Sequence, residues 1–365
     1  MIRWRRGTVT GIRRRWRGAV EIDVALEGRR DDDPHSVPAL AYPALVGEPV
    51  PGDVVLLNVN ALALGLGTGG YALVVAVPDR LPADDDRTGH AVKARYTPLQ
   101  AVVLAADEDD SPHRDALAAA DSIDGMPVVT ADLHSALAAI VAGVHADRPD
   151  ARIGYVMTDG AALPAWFSRT LDALAGRLAG VVTVGQAYGG DLEATNVHTG
   201  LLTARHVLRA DVAVVTQGPG NLGTGTEWGF SGVAVGEAVN AAAALGGRPV
   251  GSLRVSTADP RPRHHGLSHH SRTAYGRVAL APADLVVPAG IDESLGVHAA
   301  LAPLQPPHRV VTVGVDGLDS ALRALPVALS TMGRSLDADH TYFLAAAAAG
   351  RHAAALLAAG AGSAG

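Results

Sequence analysis

"DVAVVTQGPGNLGTGTEWGFSG", residues 211–232, runs from an apolar stretch into a loop with glycine at every second or third position, and then into a helical pattern. A short apolar run that exits through glycine into a helix is the strand-to-helix step of a parallel sheet. The same texture recurs on both sides: "AVVLA" at 101, "RIGYVM" at 152, "VVTV" at 181, "SLRVS" at 252 and "RVVTVGV" at 309 read as further strands. Helical spacing lies between them. Asp132 is placed to cap a segment carrying Leu133, Leu137, Ile140, Val141 and Val144, with Gly143 and Pro149 marking its end. Other helices are expected after Pro164, from Gly232 to Leu245, and over "HTYFLAAAAAGRHAAALL". The fold class is therefore α/β, a mainly parallel sheet with flanking helices.

The amino-terminal part differs. "IRWRRGTV", "GIRRRWRG", "AVEIDVAL", "DVVLLNV" and "YALVVAV" are short runs separated by Gly, Pro and Asp, the pattern of a small β-barrel or sandwich. The expected organisation is an all-β domain over 1–80, a linker over 78–90, an α/β domain over 91–358 and a disordered tail over 359–365. The uncharged stretch 54–78 contains Asn58, Asn60 and "GLGTGGY", so it reads as two strands around a turn rather than a membrane span.

Of the 365 residues, 48% are hydrophobic and 18% charged, a globular balance that excludes disorder as the dominant state. The formal charge of −7 weighs against bulk attraction to nucleic acid or anionic membrane. With no cysteine, disulfides, thiolate metal sites and thiol nucleophiles are excluded. "MIRWRRGTVTGIRRRW" has the basic flank of a secretory signal without its apolar segment, and the expected location is the cytoplasm. Seven arginines fall among the first 17 residues, interleaved with Trp4 and Trp16. They read as a solvated sheet face, with a nucleic-acid surface as the competing reading, which the nearby acidic run Asp31–Asp33 weakens.

Parallel sheets bind ligands at the carboxyl ends of their strands. Four successive strand exits carry polar and glycine-rich segments here. After "RIGYVM" come Thr158, Asp159 and Gly160; after "VVTV" come Gln186, Asp191, Glu193 and Asn196; after "VAVVT" comes the glycine loop; after "SLRVS" comes "TADPRPRHHGLSHHSRTAYG". Gly218, Gly220 and Gly223 match G-x-G-x-x-G, but the loop continues through Thr224 and Gly225 before any helix begins. It is read as a looser nest of backbone N–H groups for an anion, or as a structural turn. Ser231 is read as a helix cap. His264, His265, His269 and His270 fall within seven residues, and imidazole is both a transition-metal ligand and the acid/base group of neutral pH. His264, His269 and His270 with Glu193 are the candidate metal ligands; Asp159, Asp191, His265 and His269 are the candidate catalytic groups. Arg261, Arg263 and Arg272 flank the histidines and suit an anionic ligand.

"TDGAALP", "GGDLEATNVHTGL", "GPGNLGTGTEWGFSG", "HHGLSHHSRTA" and "STMGRSLDADHTYFLAAAAAGRHAA" together resemble a bacterial family known as a numbered domain of unknown function, found in actinobacteria and firmicutes. The resemblance extends to the amino-terminal "GDVVLLNVNALALGLGTGGY" and implies no activity, so no residue role follows from it. The reading that results is an α/β protein, enzymatic or not, that binds a small anionic ligand, phosphorylated or nucleotide-like, at its strand ends, with the choice between a divalent metal and that anion open at the histidine loop. Two alternatives stand beside it. One is a regulatory module that senses a metabolite and contacts nucleic acid through its arginines; the other is a non-catalytic homo-oligomer.

Overall fold

The computed structural model describes residues 2–28, 34–67, 69–84, 86, 88–305 and 307–361. Asp31–Asp33 and the last four residues of the expected tail lie outside the described residues. The chain forms two compact units, one of Met1–Thr88, Val92–Val103 and Trp166–Asp172, the other of Gly89–Ala91, Leu104–Ala165 and Ala173–Gly365.

The first unit is a closed barrel of β1 (Trp4–Trp16), β2 (Ala19–Glu27), β3 (Ser36–Ala41), β4 (Val54–Asn58) and β5 (Ala72–Ala76), in the order β1-β2-β3-β5-β4. The crossing from β3 to β5 makes it a Greek-key barrel of the OB type. The two strands expected before residue 18 are one. Register shifts at Val9/Gly11 and Ile12/Arg14 bend β1 enough to pair with β2 along its length and with β4 through its first half. Val9, Ile22, Val24, Val55 and Leu57 fill the interior. Outside, Arg6 pairs with Glu27 (3.3 Å), Arg13 with Asp23 (2.6 Å) and Arg15 with Glu48 (2.8 Å). These pairs neutralise much of the arginine face on which a nucleic-acid reading depends. The apolar stretch 54–78 divides into β4, a helical turn Asn60–Ala63 and β5, and no helix among the described residues is long and apolar enough to cross a membrane.

"AVVLA" supplies no strand of the parallel sheet, which it reaches only through a single parallel bridge from Ala105 to Glu193. Ala101–Val103 is β7, paired only with β6 (Ala91–Lys93) in a two-stranded ribbon. The sheet itself consists of β8 (Pro127–Thr130), β9 (Ile153–Thr158), β10 (Gly180–Thr183), β11 (Leu192–Glu193), β12 (Val212–Gln217), β13 (Arg248–Ser252), β16 (Asp284–Pro288) and β17 (Arg309–Val313). A small pair, β14 (Val255–Ser256) and β15 (Gly266–Leu267), lies between β13 and β16 in sequence. The sheet order is β11-β10-β9-β12-β8-β13-β16-β17, and every pairing is parallel. The chain lays down β8, moves outward through β9 to β11, returns to β12, and then builds the other half from β13. The carboxyl ends of β12, β8 and β13 thus meet at the switch point, where an open α/β sheet leaves a crevice.

The strand expected over "SLRVS" ends earlier, at Ser252, which leaves Arg254 beyond the sheet. Gly143 does not end its helix, which runs Leu137–Asp147; it lets that helix approach helix His340–Ala361. A Cβ at Gly143 would land on the carbonyl of Ala347, and one at Gly350 on the carbonyl of Ile140. The carboxyl-terminal helix continues three residues past the expected domain end at 358.

Beneath the switch point, buried His134 Nδ1 meets the Tyr155 hydroxyl at 2.9 Å, and that hydroxyl meets Thr216 Oγ1 at 2.8 Å. Burial pushes His134 down to about 4. The unfolded chain therefore takes up this proton near pH 6.5 while the native protein refuses it until about pH 4, so stability is lost as pH falls through that window. Urea unfolding between pH 7 and pH 4 should show this loss, and His134→Gln should reduce the slope by one proton. Identical slopes in the two proteins would contradict it.

Candidate functional site

Three strand exits supply the groups at the crevice. Asp132 follows β8, Gln217 ends β12, and Arg254 follows β13. Asp132 was expected to cap a helix, but its carboxylate turns to the histidines. Its Oδ2 lies 3.1 Å from His270 Nδ1 and 3.7 Å from an Arg254 terminal nitrogen. Burial alone would raise the Asp132 carboxyl, but the His270 bond and the Arg254 charge outweigh it and hold it below its ordinary value.

His264 and His270 are buried, and His269 is half-buried. Ser268 caps the short helix His269–Thr273: its hydroxyl accepts from the His270 N–H at 3.2 Å and meets His264 Nδ1 at 2.8 Å. The helix continues into a π-helical turn, Ala274–Val278, a distortion common at functional sites. Within that turn the Tyr275 hydroxyl donates to the carbonyl of Thr130 at 2.7 Å, which ties the histidine helix to the end of β8. Phe230 stacks on His270 with ring centres 3.8 Å apart and planes 4° from parallel.

One ring nitrogen from each of His264, His269 and His270 lies within 4.8 Å of the others. His269 Nε2 is buried with no hydrogen-bond partner among the described residues. Burial, together with Arg254, pushes His264 down to about 3; burial, together with His270 and the nearby arginines, pushes His269 down to about 4. Both rings are neutral at pH 7, with a lone pair to give.

Around the histidines, charge is balanced by shared carboxylates. Asp259, fully buried, takes Arg261 (2.7 Å), Arg334 (3.2 Å) and Arg254 (3.4 Å). Burial would raise its carboxyl, yet the Arg261 bonds hold it far below the usual range. Arg334 also reaches Asp339 at 2.9 Å, and Ser256 Oγ donates to both oxygens of Asp339. Arg334 is delivered by a tight hairpin in which Met332 (φ 48°) and Gly333 (φ 79°) are both left-handed.

The glycine loop holds its shape largely by its own bonds. Thr224 N–H donates to the Gly229 carbonyl, Gly229 N–H to Thr226 Oγ1, Leu222 N–H to Ser231 Oγ and Gly218 N–H to the Thr158 carbonyl. Gly220 and Gly225 take the left-handed conformations that need glycine, and Gly223 bridges Phe230. Ser231 serves this loop instead of capping a helix. Of the groups expected to hold an anion, the N–H of Gly218 and the N–H of Thr224 are thus engaged by carbonyls of the protein. What it brings inward is side chains: Phe230, and Asn221, whose Oδ1 accepts from Gln217 Nε2 at 2.8 Å. Gln217 Nε2 also donates to the Asp132 carbonyl at 2.7 Å, while Gln217 Oε1, buried beside Gly160, meets no donor among the described residues.

The structure does not gather every expected group. His265 is exposed. Asp159 accepts from the Gln186 N–H and Asp191 from the Val181 N–H, each at 2.8 Å. Glu193 accepts from the Thr183 hydroxyl and the Gly189 N–H, each at 2.7 Å. All three carboxylates serve the loops of β9, β10 and β11, and none belongs to the three-histidine group. The carboxylate beside the histidines is Asp132, and its position two residues past the run "PVVT" was the available signal.

A family described as "Protein of unknown function (DUF3866)" matches residues 38–350. The chain belongs to this family. Its match spans β3 to β5 of the barrel, the whole parallel sheet and every residue of the histidine site. No curated protein and no solved structure matches the chain. The family description carries no chemistry, so function has to be argued from the site.

Asp259→Ala would leave Arg254, Arg261 and Arg334 facing one another across a buried gap. Uncompensated buried charge costs about 3 kcal/mol or more, and a drop in Tm well beyond that of a surface Asp→Ala control should be measured. An unchanged Tm would show that the arginines do not depend on this carboxylate.

Proposed function

We propose that His264, His269 and His270 hold a divalent metal ion of the zinc class, and that the protein is a metal-dependent enzyme that activates water at that ion. The observation that carries this reading is the convergence of three imidazoles whose other contacts leave a nitrogen for the centre. His264 Nδ1 is taken by Ser268 and His270 Nδ1 by Asp132, while His269 Nε2 is buried without a partner. Neutral imidazole suits zinc and its neighbours in the transition series. Three protein ligands leave a fourth position for water, the arrangement of catalytic rather than structural zinc, and a bound ion lowers the pKa of that water to about 7.

Asp132 has the place of the carboxylate that orients a ligating histidine from behind. With its proton on Nδ1, His270 would donate to that carboxylate across 3.1 Å, with Arg254 3.3 Å from the same nitrogen, and would keep the Nε2 lone pair for the ion. Zinc–nitrogen bonds of about 2.0–2.1 Å in a tetrahedron imply nitrogens about 3.4 Å apart. The three nitrogens, within 4.8 Å of one another, would draw closer together around such an ion.

Calorimetric titration of the metal-free protein should show one equivalent of Zn2+ bound. His269→Ala should abolish that binding, and Asp132→Asn should weaken it by about 10–100-fold. Co2+ should give the intense visible bands of a low-symmetry site. Binding that survives His269→Ala unchanged would contradict the assignment.

A further inference from the structure

We infer that the ligand received at this centre is a doubly charged oxyanion of the phosphate-monoester type, held by Arg263 and Arg272. The inference rests on the metal reading above and gives it a substrate class.

The argument is one of charge balance. Five arginines surround the histidines. Three of them, Arg254, Arg261 and Arg334, are matched by three buried carboxylates, Asp132, Asp259 and Asp339. That group closes on itself. The side chains of Arg263 and Arg272 form no ion pair or hydrogen bond among the described residues, and both residues are exposed. Arg277, the next arginine along the chain, is already engaged by Glu227 at 3.3 Å and lies over the ring of Trp228. Two guanidinium groups are thus left without a partner.

Their positions are specific. Arg263 directly precedes His264, and its guanidinium rests against Gly225, 3.6 Å from where a Cβ there would stand. Arg272 follows His269 by three residues on the same short helix, so the two side chains share a face.

A site with two spare guanidinium groups and a divalent ion selects for high negative charge in one compact group. A carboxylate offers one charge and two oxygens. A phosphate monoester offers close to two charges and three oxygens, arranged to accept paired N–H bonds from guanidinium forks and a metal bond together. The N–H groups of Gly218 and Thr224 are engaged by carbonyls, so neither adds to what the two guanidinium forks offer the anion.

The test uses the full chain, metal-free and zinc-loaded, with inorganic phosphate, phenyl phosphate, acetate and chloride as probes in calorimetry. The zinc-loaded protein should bind phosphate and phenyl phosphate at least tenfold more tightly than acetate, and phenyl phosphate at least as tightly as inorganic phosphate. The double variant Arg263→Ala/Arg272→Ala should lose at least tenfold of that affinity. Its Zn2+ affinity should stay level or rise, because removing two cations does not weaken the binding of a third.

Phosphate affinity unchanged in the double variant, or no preference over acetate, would overturn the inference and leave the metal reading standing. Phosphate bound tightly while phenyl phosphate is rejected would mean a free-phosphate site and would overturn the monoester. If the wild type binds no Zn2+, the metal reading falls by itself. The metal-free titrations then still decide the anion claim: arginine-dependent binding of phosphate upholds it, and arginine-independent binding overturns it.

Discussion

Charge buried at the centre of a sheet has to be paired, and in this protein the pairing organises everything around it. Asp132 stands at the exit of β8 and faces His270 and Arg254 at once. Asp259 gathers three arginines, and Asp339 secures one of them from the far side. Each group would be expensive to bury alone, since an isolated charge costs several kcal/mol even after the surroundings relax. Segments far apart in sequence, residues 132, 254–272 and 334–339, are therefore bound to fold into one another. The histidines ride on this scaffold, and burial among fixed cations keeps His264 and His269 neutral.

The topology explains why the charges meet where they do. β8 is laid down first and becomes the middle of the sheet, with β12 on one side and β13 on the other. Their carboxyl ends open into the crevice at the switch point, and the three exits carry a carboxylate, an amide and a guanidinium. The close approach of helices Leu137–Asp147 and His340–Ala361, allowed by Gly143 and Gly350, packs one face of the same sheet. Fold stability and site geometry thus draw on the same elements, which is why the ion-pair network lies so near the histidines.

Much of this was legible in the sequence. The run at 211–217 and the glycines after it announced a strand exit, and the histidine cluster announced chemistry. What failed did so for physical reasons. β8 and β16 are runs of four and five residues bounded by proline, too short for any periodicity to separate strand from loop. Missing β8 made Asp132 look like a helix cap. Placing a strand over "SLRVS" hid Arg254, because a side chain two residues beyond a strand and one inside it look identical in a sequence. Arg334 and Asp339 come together with Asp259 only through the tertiary fold. Conversely, Asp159, Asp191 and Glu193 sit at strand exits just as Asp132 does, and only the structure shows that they hold backbone and hydroxyl groups of their own loops.

The central claim is that one ion is held by His264, His269 and His270. Zinc K-edge absorption together with anomalous diffraction from crystals of the zinc-loaded protein tests it most directly. The account predicts a single anomalous peak between the three rings, with imidazole nitrogens at about 2.0–2.1 Å. A peak elsewhere, or a first shell without the scattering pattern of imidazole, would contradict it.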